Sequence, residues 1–552
     1  MIETSSHAAA GDHVSLPRFF KRVADAIGPL AELDLNEIGA VVKAVRIGVV
    51  VHADAADSNA LRQQAELACN LLARLYPRLS LAGPPQLTTS LQDRVRSINP
   101  RADVKITDEH GSDTDVVLVL QPETSPPEAI EDPAIIRVST AGWNVAVDRS
   151  PTGEQEPFVL AALAGACLGV AEVFRYVFRA HLREGGRTQA APSETNLITW
   201  RDYEAGLPDL PTGTDLTGTS LVGAGAVGQA FLLALRAKAP VGTLAVVDHQ
   251  HVSLSNLQRY VLTDDDSVDR AKTAIAADYF AGTALTVQGI DARWGTDPRS
   301  GPQMPTVVVA LDSAVDRLGV AAGLHGRVYN AWTQPEDLGW SRHETFGNEP
   351  CLACLYWPDR PRPSEYELIA QALGQHPLRM LLYLTHRTPI GQPLPMPPNG
   401  VVQLPQAPGL EPPPDLQRWF HIPLAADLVT AGKLSPDELE SWASRPLAEV
   451  YRDGVCAGGL ITVGPPEDAH EALVPLAHQS ALAGVMLAIQ LLVASYPPLR
   501  ERRPPFVEGR VNLLRPLPQT LERPRQRTPG CVCGDADFQA VWQRRWAQFP
   551  LP

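Results

Sequence analysis

Apolar runs broken by turn residues recur along most of the chain, and their periods predict alternating strands and helices. In the first 195 residues, AVRIGVVVHAD (44–54), DVVLVLQ (115–121) and IIRVSTAGWNVAV (135–147) read as strands. NALRQQAELACNLLARLY (59–76) and FVLAALAGACLGVAEVFRYVF (158–178) carry helical spacing. The pattern is that of an α/β domain. A second such pattern starts near residue 196: an apolar strand runs into Gly223, a helix follows, another strand ends at Asp248, and Val307–Leu311 forms a further short strand. LAHQSALAGVMLAIQLLVA (476–494) reads as a long apolar helix. The most apolar windows, near 157–173 and 482–494, are too short for a membrane span or carry Glu172, and are expected to be buried.

Between Cys354 and Cys456 the pattern changes. RPRPSEY, QPLPMPPNG and LEPPPDLQRW make this stretch proline-rich, while 364–386 and 425–443 keep helical spacing, so part of it is expected to fold. Composition narrows the function. At 552 residues and 44% hydrophobic the chain can bury two cores of ordinary size. A net charge of −15 argues against sequence-independent nucleic-acid binding, which needs a positive surface. Seven cysteines are too few for a disulfide scaffold, and no signal-peptide pattern is read, so reduced thiols in a cytoplasm are expected.

The densest chemistry lies in LVGAGAVGQAFLLALRAKAPVGTLAVVDHQHVSLSNLQR (221–259). Gly223, Gly225 and Gly228 form G-x-G-x-x-G between a strand and a helix, and Asp248 stands where a ribose-binding acid belongs. That much serves NAD(P) or FAD as well as ATP. Asn256, Arg259, Lys272, Asp312 and Arg317 follow in order, however, and hydride transfer has no need of a guanidinium, an ammonium and a strand-end carboxylate together. A triphosphate does: Arg259 and Lys272 could neutralise charge building on it, and Asp312 could hold magnesium. Lys272 is one of six lysines in an arginine-rich chain, and its compact charge suits a phosphate.

Four cysteines form two pairs, Cys351-x-x-Cys354 and Cys531-x-Cys533, suited to a closed four-thiolate structural zinc site that would clip the C-terminal end back onto this domain. Cys69 and Cys167 lie in apolar helical patterns and read as small core residues. Cys456, in YRDGVCAGGLITVG, is flanked by glycines instead.

GAGAVG, D-x7-N-x2-R, Lys272, LDSAVDR, CLACLYWPD, VCAGGL and the closing CVC together resemble the ThiF-like adenylating enzymes, which include ubiquitin-activating enzymes and sulfur-carrier adenylyltransferases. The resemblance spans about 200–535. It implies a Rossmann-like adenylation domain in which ATP activates the C-terminal carboxylate of a ubiquitin-like β-grasp protein. Asp248 would hold the ribose, Asn256, Arg259 and Lys272 the phosphates, Asp312 the magnesium, and Cys456 would take the acyl group as a thioester. One departure is Asp269, where the family often has glycine. His478 is given no role.

Residues 1–195 lack both G-x-G-x-x-G and an SNLQR equivalent, but their last helix is similar to one beside the core sheet of adenylation domains. The expectation is therefore a degenerate, inactive adenylation-like α/β domain (1–195), an active ThiF-like domain (196–357 and 456–540) and a Pro-rich, part-helical insertion (358–455). ThiF-like enzymes work as dimers or pseudo-dimers, so the first half would complete the active half and lend it an arginine, with Arg201 the candidate. The resemblance further implies a conjugating-enzyme partner, a monomeric pseudo-dimer or homodimer, no nucleic-acid or membrane partner, and a place in a bacterial ubiquitin-like conjugation system, some of which serve phage defence. The alternative is a sulfur-carrier adenylyltransferase of cofactor biosynthesis, which stops at the adenylate.

Overall fold

The computed structural model describes residues 16–107, 114–120, 134–153, 155–182, 193–200, 203–334, 337–357, 365–396, 412–451, 475–515 and 525–549. They fall into two compact units, one made of 1–357 with 474–552 and the other of 358–473.

The larger unit opens with two helices, α1 (Phe20–Ala31) and α2 (Leu35–Ala44). α2 starts at a capping box in which Asp34 and Glu37 satisfy each other's backbone N–H groups. Then follow β1 (Ile47–Val51), α3 (Asn59–Ala73), β2 (Arg78–Ala82), α4 (Pro85–Ile98), β3 (Asp103–Ile106), β4 (Val116–Leu120), β5 (Ala134–Ala141), β6 (Asn144–Val147), α5 (Val159–Val177) and β7 (Ser193–Asn196). The second half of the unit runs β8 (Thr219–Val222), α6 (Ala226–Arg236), β9 (Gly242–Val247), α7 (Lys272–Tyr279), β10 (Leu285–Ile290), β11 (Thr306–Val309), α8 (Ala314–Ala321), β12 (Arg327–Thr333), β13 (Asp337–His343) and α9 (Leu352–Tyr356). The smaller unit supplies α10 (Glu365–Leu373), α11 (Pro377–His386), α12 (Leu424–Thr430), α13 (Pro436–Trp442) and α14 (Leu447–Val450). The chain returns to the larger unit through α15 (Ala477–Ala494), α16 (Pro497–Arg500), β14 (Glu508–Asn512) and α17 (Ala536–Trp546).

The α/β expectation holds, and the topology adds to it. One seven-stranded sheet has the order β3-β2-β1-β4-β5-β6-β7 and the other β10-β9-β8-β11-β12-β13-β14. In each, the first five strands are parallel and the last two antiparallel. A long helix separates the last two strands in both: α5 lies between β6 and β7, and α15 between β13 and β14. The residues 358–473 occupy that same connection in the second half. The two halves thus repeat one topology.

The stretch 135–147, which alternation presents as one strand, is two. Gly142 takes φ 57° and turns the chain, so β5 and β6 pair antiparallel.

α5 and α15 are apolar on every side because both are enclosed. They pack against each other, α5 also against α3 and α15 against α6. Length and hydropathy alone would let either cross a membrane, yet 94% of the α5 window and all of the α15 window are buried inside the fold. Cys69 and Cys167 sit fully buried in this core as small hydrophobes.

The smaller unit has its own core, with Ile369, Leu373, Met380, Tyr383, Trp419, Leu424 and Leu447 at its centre. Arg379 is buried there, donating to Asp427 Oδ2 at 2.6 Å and to the Ile422 carbonyl at 3.0 Å. The helical expectation for this stretch holds; 397–411 and 452–474 lie outside the described residues.

Candidate functional site

In an open parallel sheet, ligands bind beyond the C-terminal ends of the strands where the strand order reverses. In the second sheet that point lies between β8 and β11. Three predicted residues stand there: Gly223 just beyond β8, Asp248 just beyond β9, and Asp312 shortly beyond β11.

The glycines have different steric reasons. Gly223 has φ 95°, and a Cβ there would lie 2.5 Å from the Ala310 carbonyl oxygen. A Cβ on Gly228 would lie 2.1 Å from the Gly223 carbonyl oxygen, so only glycine lets the first turn of α6 close on the loop. Gly225 is the N-cap of α6, whose first N–H groups face the turn as anion donors.

Asp248 is held by the loop: its carboxylate accepts from Ala224 N at 2.8 Å and Gln250 N at 2.9 Å. Lys272 opens α7 and is 4% exposed, donating through Nζ to Gln250 Oε1 at 2.7 Å. Its ammonium lies 5.2 Å from the Tyr260 ring centroid. Burial pulls the Lys272 pKa down, but Tyr260, Asp248 and Asp312 outweigh it and the net direction is upward. The cation therefore stays charged through neutral pH.

Arg259 is half-buried. Burial lowers its pKa, with Tyr260 and then Asp312 pulling the other way, which places the guanidinium within the field of the strand-end carboxylate. Asp312 is exposed at the mouth. Asn256 spends its Oδ1 locally, accepting from Ser253 N at 3.0 Å, so its Nδ2 is the group that could donate to an anion.

Asp269 takes φ 67°, the left-handed conformation glycine favours and aspartate tolerates. Its N–H donates to the Val252 carbonyl at 2.8 Å and the residue is exposed, so the acid sits at a turn and does not line the cradle. Arg317 is structural: 4% exposed, it donates to the Leu311 and Ala331 carbonyls and to Tyr356 Oη, and so fixes the strand end that carries Asp312.

Two residues of the site were missed in the sequence. Tyr260 follows Arg259, and its hydroxyl lies 3.3 Å from where a Cβ on Gly225 would be. Arg22 on α1, which packs against the 254–258 turn, has its pKa lowered by burial first and by the Arg259 guanidinium second, so the N-terminal half brings a second arginine within the electrostatic reach of Arg259. The offset from Arg259 to Arg22 is set by tertiary packing, and no local pattern marks it. Arg201, the earlier candidate, lies outside the described residues, as does Cys456. His478 is 2% exposed within α15. Burial pushes its pKa down to about 3, so it stays neutral and structural.

The four paired cysteines meet. Cys351 Sγ lies 3.5 Å from Cys531 Sγ and 3.9 Å from Cys354 Sγ, and Cys354 Sγ lies 3.4 Å from Cys533 Sγ. All four sulfurs fall within 4.8 Å of one another. A tetrahedral zinc with Zn–S bonds of about 2.3 Å sets sulfurs about 3.8 Å apart, so the set fits zinc. These separations are far too long for disulfides. Thr528 N donates to Cys354 Sγ at 3.4 Å, the kind of support a thiolate ligand takes.

Comparison with known proteins places this site in a family. The ThiF family model matches residues 217–317, a span holding the glycine turn, Asp248, Asn256, Arg259, Lys272 and Asp312. Over 557 aligned residues, covering 98% of this chain and 99% of the other, the sequence is 31% identical to "Uncharacterized protein y4jF" of Sinorhizobium fredii (strain NBRC 101917 / NGR234).

Proposed function

Since the chain belongs to the ThiF family, adenylyltransferase-type enzymes that use ATP, we propose that it adenylates the C-terminal carboxylate of a ubiquitin-like β-grasp protein. The observation that carries this reading is the meeting of Gly223, Gly225, Gly228, Asp248, Arg259, Lys272 and Asp312 at one switch point of one sheet. Asp248 receives the ribose hydroxyls. The α6 N-terminus, Asn256, Arg259 and Lys272 receive the phosphates, and Asp312 would hold a magnesium ion that neutralises charge on them. The carboxylate oxygen attacks the α-phosphorus, the bond to the bridging oxygen breaks, and pyrophosphate leaves under the two fixed cations. Arg22 adds a third positive charge from the N-terminal half.

In the same reading, residues 1–195 are an inactive adenylation-like half, supported by the shared strand order. Where β8 leads into a glycine turn, β1 leads into Ala53–Ala56, a turn without a glycine and so without a phosphate cradle. Cys456 lies in the connection between β13 and α15, and its thiolate would displace AMP to form a thioester for transfer to a conjugating enzyme. The four thiolates would hold a structural zinc, and the protein would work in a bacterial cytoplasm as part of a ubiquitin-like conjugation system, with phage defence one such setting.

Incubating the chain with magnesium-ATP and a ubiquitin-like β-grasp protein, then taking intact masses, tests this directly. A wild-type adduct that excess thiol cleaves and that Cys456→Ala lacks is the expected result. An ATP-dependent adenylate with no such adduct moves the assignment to the sulfur-carrier adenylyltransferases.

A further inference from the structure

We infer that Asn70, Arg74 and Arg94 of the N-terminal half are positioning residues for the segment that carries Arg259 and Tyr260, an inference that rests on the ATP reading above. Three carbonyls between Leu257 and Thr263 accept from side chains of that half. Arg74, the C-cap of α3 and 1% exposed, donates to the Leu257 carbonyl and, through Nη2, to the Thr263 carbonyl at 2.9 Å. Its Nε donates to Asn70 Oδ1 at 2.9 Å, and Asn70 Nδ2 donates to the Val261 carbonyl at 2.9 Å. Arg94 on α4 adds a second donor to that carbonyl at 3.0 Å. From the opposite side Gln229 of α6 accepts from Leu262 N at 3.1 Å.

Arg259 and Tyr260 lie between the first two of the three carbonyls so held. Packing alone does not require an arginine at residue 74. A buried charge is expensive unless its geometry is well matched, and an apolar residue fills such a site at least as well. What the guanidinium adds is a rigid fork that fixes two carbonyls six residues apart at one spacing. The segment is therefore held in place before any nucleotide arrives, and with it the Arg259 guanidinium and the Tyr260 ring on which Lys272 rests. A half-domain with no glycine turn of its own thereby contributes to nucleotide binding through the neighbouring loop. Ordering that would otherwise accompany ATP binding is already complete, which favours affinity.

The test uses the full chain. Arg74→Lys keeps the charge but cannot span both carbonyls, and Arg94→Gln removes a donor to Val261 from a residue that is only half-buried. Hydrogen exchange of the amides of 256–263 is measured in the free protein, and ATP affinity and turnover in pyrophosphate exchange. The expected result is faster exchange confined to 256–263 and an ATP KM raised about tenfold with little change in kcat, the scale of one or two lost hydrogen bonds. Arg94→Lys should restore the protection that Arg94→Gln removes.

Unchanged protection and KM in Arg74→Lys overturns the inference while leaving the ATP reading intact. So does a loss of protection spread evenly over β8 to β11, which marks Arg74 as ordinary core. A wild-type chain that binds no ATP, yet loses protection at 256–263 on Arg74→Lys, overturns the nucleotide reading and leaves only loop ordering to these residues.

Discussion

Asp312 and His478 separate what a residue does from where it lies. Asp312 is exposed at the end of a strand whose backbone Arg317 fixes from beneath, so its carboxylate can be removed without leaving a cavity. Asp312→Ala should keep the melting temperature and lower ATP–pyrophosphate exchange by about a hundredfold or more, as expected when a charge-stabilising group is lost. Exchange at the wild-type rate would remove Asp312 from the magnesium role. His478 has the opposite profile. Its folded pKa lies near 3 because of burial, below an unfolded value of about 6.5. Between those values the unfolded chain binds the proton and the native chain does not, so stability present above about pH 6.5 is lost as pH falls toward 3. His478→Leu should flatten that acid limb in urea titrations between pH 4 and 7. An equally steep limb in the variant would mean that other groups set it.

At the same scale, the cradle was legible because its chemistry is local: glycine spacing, a strand-end acid and a cation at fixed offsets survive in a linear reading. Arg22 and Tyr260 were not. Arg22 reaches the site over more than two hundred residues of chain, and Tyr260 announces itself only through the Gly225 and Lys272 it touches. Asn256 was legible as a candidate, but its own capping bond to Ser253 was not.

Among the elements, helical period identified α3 and α6, whose Arg62, Glu66 and Arg236 stay exposed, and apolar length identified α5 and α15, which are enclosed almost throughout. The β5–β6 hairpin was hidden because alternation continues through Gly142, and only the positive φ there reverses the chain. α15 owes its closeness to α6 to one residue. A Cβ on Gly484 would sit 2.5 Å from Ala230 Cβ and 2.5 Å from the Val227 carbonyl oxygen, both in the helix that follows the phosphate turn. Gly484→Val must push α6 away, and overpacking of this kind costs about 1–3 kcal/mol. Denaturant unfolding should show that loss together with a raised ATP KM, because the N-terminus of α6 is proposed to receive the phosphates. Wild-type stability in this variant would mean that the two helices can separate freely.

For the whole molecule, the repeated strand order resides in pairing and not in composition, and in the sequence only the last helix of the first half, α5, pointed to a second copy of the fold. The four-cysteine cluster was the most legible, since two short cysteine motifs far apart in sequence suit one closed set of ligands, and the sulfurs do meet. Its consequence is architectural. Past Cys533, α17 lies against the turn between α8 and β12: Trp542 and Trp546 donate to the His325 and Leu324 carbonyls and Arg545 to that of Gly323, each at 2.7 Å. Those contacts belong to a helix with a single buried residue, Trp546, so a metal held by the four thiolates would tether its start and strengthen its hold. Replacing Cys351 and Cys354 by serine should abolish one equivalent of bound zinc, lower the melting temperature by several degrees, and expose 531–549 to limited proteolysis ahead of the rest of the chain. Chelation of the wild type should reproduce all three effects. If the double variant keeps its melting temperature and its resistance to protease, the four thiols are packing residues, and the two tryptophans and Arg545 alone hold the C-terminal helix in place.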